Sequence, residues 1–366
     1  MGPFPHHAPP ATISKDNPMG TDGFAFVEFA SPEPDRLHAL FRLMGFAPVA
    51  RHRFRAITVY RQGNIDFLVN EDPSSHAARF AAAHGPSAPS MGFRVVDAHH
   101  AYTRALALGA EDADPADGPD AVDAPAITGI GGSRLVFIDR GSSPFDQGTD
   151  WLRIGDSHPR GVGLFYIDHL THNVGRGRMD VWAGFYERLF NFREIRSFDI
   201  KGEYTGLYSR ALTSPDGRIR IPINESADGR SQIEEYLTAY RGEGIQHVAC
   251  GCRDIHASVE HLRKRGLPFM PVPPATYYEA IDARVPGHGE DLVRLARNGL
   301  LIDGTGATDG CAARKLLQVF SATVIGPIFF EFIQRKGDDG FGEGNFRALF
   351  RSIEEDQVRR GVLRAA

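Results

Sequence analysis

The sequence predicts an α+β fold built from two related halves. Three observations carry that expectation. Apolar stretches of period two and period 3.6 occur twice in the same order, strand, helix, strands. The later helix of each half runs from an Asp to a Gly over the same interval, Asp97 to Gly109 and Asp254 to Gly266. The strands that close the halves end alike, Phe137-Ile-Asp-Arg140 and Phe332-Ile-Gln-Arg335.

Residues 1–18, rich in Pro and His, predict a disordered tail, so His6 and His7 are assigned to it rather than to a metal. A first domain is expected over 19–150. Phe24–Ala30 alternates as a strand. Ser31 is the expected N-cap of a helix whose Leu37, Leu40, Phe41 and Met44 share a face, with Gly45 as its stop. Strands are expected over Ala56–Gln62 and Ile65–Glu71. A helix follows Asp97, with Ala98, Ala101, Tyr102 and Ala105 on one face, and Ser133–Asp139 closes the half. Residues 141–160 are polar and Gly-containing and join the halves, so the second domain is expected over 151–366. It opens with a strand over Tyr166–Val174. Trp182, Phe185, Tyr186 and Leu189 then define a helix. Strands are expected over Gly206–Leu212, Arg218–Glu225 and Gly244–Cys252. After the Asp254 helix, Leu316–Ala322 and Pro327–Arg335 complete the half. A last helix carries Phe346, Leu349, Phe350 and Ile353.

Composition excludes several classes. With 42% hydrophobic and 24% charged residues, the chain is of ordinary globular type. A net charge of −5 gives no general attraction to nucleic acid or anionic membrane. No apolar run has the length of a membrane helix, and no secretory signal is seen at the N-terminus. Three cysteines (Cys250, Cys252 and Cys311) argue against a disulfide framework and for a reducing, cytoplasmic setting.

One residue is out of place. Glu331 stands among Ile328, Phe329, Phe330, Phe332 and Ile333, where a carboxylate is costly unless a cation meets it. Arg335 is one candidate and a metal is the other. The repeat serves as a control. The second half carries His169, His247 and Glu331 where the first carries Glu28, Ser90 and Val136. Period two turns His172 away from His169. Two imidazoles and one carboxylate suit Fe(II) with open positions for other ligands, and equally suit zinc.

The strings IDHLTHNV, RIPINE, GEGIQHVA, FMPVPPATYYE and GPIFFEFIQRKGDDGFGEGNF resemble those of the bacterial 4-hydroxyphenylpyruvate dioxygenases. The likeness runs from about residue 18 to the C-terminus. That family belongs to the vicinal-oxygen-chelate group, so the resemblance implies paired βαβββ modules forming curved, open sheet barrels with helices outside, and a C-terminal lid helix. It implies Fe(II) on His169, His247 and Glu331, O2 as co-substrate, no 2-oxoglutarate, and conversion of 4-hydroxyphenylpyruvate to homogentisate and CO2 in tyrosine catabolism. It places Ser209, Asn224, Gln232, Gln246 and Gln318 on the substrate, with Gln232 and Gln318 also in catalysis. Phe320, Phe329, Phe341 and Phe346 would wall the ring. In an ideal strand Gln246 would face away from His247. A homo-oligomer, dimer or tetramer, is also implied.

Three alternatives share parts of this pattern. A hydroxymandelate synthase has the same fold and ligands, but the RIPINE segment fits the ring-hydroxylating branch. An extradiol dioxygenase needs a further acid–base His, for which no motif is seen. A binding protein of the same fold would be expected to have lost part of the triad.

Overall fold

The computed structural model describes residues 9–141, 143–145, 150–201, 206–308, 310–342, 344–345, 357–358 and 360–362. The first half contains β1 (Thr21–Ala30), α1 (Pro34–Leu43), β2 (Ala47–His52), β3 (Ile57–Gln62), β4 (Ile65–Asn70), α2 (His76–His84), β5 (Ser87–Val95), α3 (Ala98–Ala107), β6 (Ala126–Thr128), β7 (Arg134–Asp139) and β8 (Trp151–Arg153). The second contains β9 (Leu164–Val174), α4 (Met179–Phe190), β10 (Arg193–Lys201), β11 (Gly206–Thr213), β12 (Arg220–Ser226), α5 (Gln232–Tyr240), β13 (Gly244–Cys252) and α6 (Ile255–Lys264). Three short helices follow, α7 (Ala275–Glu279), α8 (Ile281–Arg284) and α9 (Leu292–Asn298). β14 (Leu301–Thr305), β15 (Arg314–Phe320) and β16 (Phe329–Lys336) come last.

Each half is one eight-stranded sheet, ordered β6-β7-β5-β1-β4-β3-β2-β8 and β10-β11-β12-β9-β13-β16-β15-β14. At the centre of both, two strands run antiparallel (β1 with β5, β9 with β13). Each of these is flanked by a parallel partner, which needs a crossover helix. Asp97 and Asp254 cap α3 and α6 by accepting from the backbone N–H of His100 and Ala257. Gly109 and Gly266 end those helices at φ of +83° and +92°, the left-handed region that favours glycine. The halves share one apolar core, in which Phe330 packs against both Phe29 and Phe67 at 6.2 and 5.8 Å.

Several expectations are corrected. Glu33, not Ser31, is the N-cap of α1; Ser31 Oγ instead accepts from the Glu33 backbone N–H, and Pro34 starts the helix. The sheet registers also correct the repeat control. Ala249 pairs with His169, and its counterpart Gly92 pairs with Phe26, so Phe26 rather than Glu28 matches His169; Glu28 matches Thr171. Ser90 and Val136 remain the matches of His247 and Glu331. The expected last helix from Phe346 lies outside the described residues, as do residues 1–8.

Candidate metal centre and substrate pocket

His169 lies on β9, His247 on its antiparallel neighbour β13, and Glu331 on β16, the parallel neighbour of β13. Three adjacent strands thus present three side chains on one concave face. The imidazole Nε2 atoms are 3.3 Å apart, and Glu331 Oε2 lies 3.0 Å from His169 Nε2 and 3.4 Å from His247 Nε2. All three residues are buried, and their ligand atoms lie within 4.8 Å of one another.

Both imidazoles are held from behind by the residue that precedes them. His169 Nδ1 donates to Asp168 Oδ2 at 2.9 Å, and His247 Nδ1 donates to Gln246 Oε1 at 3.0 Å. Neighbours on a regular strand face opposite ways. Here each neighbour is the extra residue of a β-bulge. Between Ala249 and Cys250 on β13, β9 advances from His169 to Ile167. Between Thr171 and His172 on β9, β13 advances from His247 to Ile245. The bulges therefore turn Asp168 and Gln246 toward the histidine side, which corrects the expected orientation of Gln246. The first half keeps both bulges but places Ala25 and Pro89 there.

These bonds decide the fit to a metal. A carboxylate and an amide oxygen only accept, so each Nδ1 carries a proton, and in the neutral rings each Nε2 is a lone pair. Two lone pairs and the Glu331 carboxylate then face one another with no donor among the three. A cation satisfies that set. Without a metal a proton takes the cation's place. Burial opposes it, but Glu331 and Asp168 raise the His169 imidazole. Burial also opposes the Glu331 charge, but the charged His169 and hydrogen bonds from both rings hold it down to about 2. The Thr171 hydroxyl is 2.9 Å from His247 Nε2 and is an additional group at the centre. His172 turns to the other face and accepts from the Tyr186 hydroxyl at 2.7 Å.

Arg335 does not pair with Glu331. It grips Asp168 through Nε and Nη2 at 2.7 and 2.8 Å, and Arg220 and the Tyr166 hydroxyl bind the same carboxylate at 3.2 and 3.0 Å. Burial works to raise Asp168, but the two guanidinium groups hold it well below the usual carboxylate range.

The expected pocket residues gather unevenly. Ser209, Asn224 and Asn173 sit side by side on β11, β12 and β9. Asn224 Nδ2 reaches Asn173 Oδ1 at 3.3 Å and Gln246 Oε1 at 3.5 Å. Ser209 Oγ, Asn224 Oδ1, Asn173 Nδ2 and Gln318 Oε1 are buried without a hydrogen-bond partner among the described residues. Phe329 stacks on the His247 ring at 4.8 Å, and Phe341 meets the His169 ring edge-on at 5.5 Å. Phe320 pairs in register with Glu331. Gln232 stands apart from Ser209 and Asn224, at the start of α5. It lines, with Gln246, Phe329, Tyr236 and Met270, a cavity of about 680 Å3. Phe346 lies outside the described residues. Asn173 and Thr171 were not foreseen; their signal was the period-two spacing from His169.

Curled sheets with this crossover order, bearing such a triad, define a chain of the glyoxalase and dioxygenase class. The profile of the Glyoxalase/Bleomycin resistance protein/Dioxygenase superfamily matches residues 166–288. Residues 15–148 match the profile described as Hydroxyphenylpyruvate dioxygenase, HPPD, N-terminal. The chain is 56% identical to a 4-hydroxyphenylpyruvate dioxygenase of Pseudomonas sp. (strain P.J. 874), over 95% of this chain and 98% of that one. It is 55% identical to a protein of Vibrio vulnificus named hemolysin VllY, over 96% and 99%. Among solved structures, a mutant of 4-hydroxymandelate synthase from Streptomyces coelicolor superposes with a TM-score of 0.77, at 26% identity over 92% and 99%. The chain belongs to the 4-hydroxyphenylpyruvate dioxygenase family.

Proposed function

We propose that this chain is an Fe(II)-dependent 4-hydroxyphenylpyruvate dioxygenase that turns its substrate and O2 into homogentisate and CO2. The observation that carries the metal is the convergence of two imidazole Nε2 atoms, each ring oriented by its Nδ1 bond, on the Glu331 carboxylate. Iron held there would supply the redox chemistry toward O2, and the substrate's own keto acid removes any need for 2-oxoglutarate.

The remaining work falls to the chain. Asp168 and Gln246 keep both Nδ1 protons in place, so both Nε2 atoms stay available. Phe329 and Phe341 cover the two imidazoles and exclude water. The unpaired polar atoms of Ser209, Asn224 and Gln318 offer hydrogen bonds to a phenol and a keto acid without adding charge. Gln232 meets the substrate from the cavity side, and Phe320 walls it beside Glu331. Phe26, Ser90 and Val136 make the first half, which reaches past the expected boundary at 150 to include β8, a scaffold without a metal of its own. The second half, from β9 onward, carries the chemistry. A cytoplasmic homo-oligomer, dimer or tetramer, completes the reading.

The likeness to 4-hydroxymandelate synthase favours one competing outcome, oxidation at the benzylic carbon. Product identification separates them. Iron-loaded protein given 4-hydroxyphenylpyruvate and O2 is expected to yield homogentisate with one CO2 per turnover. Hydroxymandelate as the main product would overturn the assignment.

A further inference from the structure

A second cavity, of about 170 Å3, lies in the seam between the halves. Asp168 lines it from β9, while His169, the next residue, does not. Three arginines line it too: Arg94 from β5, Arg218 from the turn before β12, and Arg220 from β12. Against them stand two carboxylates, Asp22 and Asp168, so the lining carries one net positive charge, three less two.

The arginines are not alike. Arg218 pairs with Asp22 and donates to the carbonyl of Pro9. Arg220 binds Asp168 at 3.2 Å and approaches Asp339 at 3.8 Å. Arg94 makes no hydrogen bond and no ion pair among the described residues, although it is partly buried. The acid whose charge reaches it, Asp66, is taken up by Arg61 Nε and Nη2 at 2.6 and 2.9 Å. Burial accordingly pulls the Arg94 guanidinium below its ordinary range. A buried charge without a partner is costly, and an arginine fork is shaped for the two oxygens of a carboxylate or phosphate.

Size narrows the ligand. The cavity is far larger than the ~10–15 Å3 that one water needs. It is smaller than the roughly 300 Å3 at which sites for larger organic ligands begin. We propose that this cavity binds a small oxyanion, a phosphate or a small carboxylate, held by the Arg94 fork. Asp168, which holds His169 from behind, and its partner Arg220 both line this cavity, so the site lies behind the metal centre without sharing its ligands.

The test is calorimetric titration of the full chain with sodium phosphate and, separately, sodium acetate, at an ionic strength held constant with chloride. Saturable binding of one equivalent by either anion, in the millimolar range or tighter, is expected. The better binder identifies the class, dianion or carboxylate. Arg94→Gln should weaken it at least tenfold, and Arg94→Lys, which keeps the charge but loses the fork, by less. Absence of saturable binding with both anions in the unmodified protein overturns the proposal whether or not the variants fold. So does a folded Arg94→Gln protein that binds as tightly as the parent.

Discussion

Asp168 Oδ2 accepts the Nδ1 proton of His169 at 2.9 Å, although the two residues are neighbours on one strand. The same carboxylate neutralises Arg335 and Arg220. Asp168→Ala therefore strands two buried cations and is expected to destabilise the fold by about 3–5 kcal/mol. Asp168→Asn keeps an acceptor for His169 and should cost less stability. It should still weaken iron binding by about 10–100-fold, as changes behind metal-bound histidines do. Denaturant midpoints and chelator competition read the two effects apart.

Gln246 supports His247 with a neutral acceptor rather than a charged one. No buried cation depends on it. Gln246→Leu should leave the unfolding midpoint within about 1 kcal/mol of the parent, yet lower iron affinity about tenfold. Equal iron affinity in a folded variant would show that His247 does not need this partner.

Asn224 Oδ1 is buried and unpaired. If it receives the phenol hydroxyl, Asn224→Ala should reduce kcat/KM for 4-hydroxyphenylpyruvate more than for phenylpyruvate, which lacks that group. A hydrogen bond is worth about 1 kcal/mol net, or roughly fivefold, and more when a buried partner is left bare. An equal loss for both substrates would make Asn224 a wall of the pocket and nothing more.

Glu28 is buried in the first half, where Ser90 and Asn70 donate to its carboxylate. Burial, opposed in part by those bonds, pushes it up to about 7 from 4.5. A raised value means that the protonated form belongs to the fold. Its stabilising contribution is whole below pH 4.5 and is lost as pH rises to about 7. Glu28→Gln should thus raise the melting temperature near pH 8, by up to about 3 kcal/mol of stability, and change little near pH 4.5. A variant equally stabilised at both values would contradict this.

Much of this architecture was legible in the sequence because it rests on local rules. Asp97 and Asp254 announced helix starts by their capping chemistry, and Gly109 and Gly266 announced the ends. Comparing the halves singled out His169, His247 and Glu331, which the sheets bring together. What escaped was set by tertiary context. The bulges at Asp168 and Gln246 break period two by one residue and leave no mark in composition, so Gln246 was expected to face the wrong way. The same blindness to register made Glu28, not Phe26, the supposed match of His169. β2 and β10 carry few apolar residues and α2 is mostly alanine, whereas α5 does carry Ile233, Tyr236, Leu237 and Tyr240 at helical spacing, a signal that was there to read. Ser31 looked like a cap, yet Pro34 fixes the helix start and moves the cap to Glu33.

The central claim is that His169, His247 and Glu331 hold one catalytic iron per chain. Its most direct test is an anaerobic titration of the protein with Fe(II) in the presence of 4-hydroxyphenylpyruvate, followed by visible absorption. The account predicts a band that saturates at one iron per chain and is absent from His169→Ala, His247→Ala and Glu331→Ala proteins that remain folded. A His247→Ala protein with the same band, iron content and turnover, or saturation at two irons per chain, would contradict it.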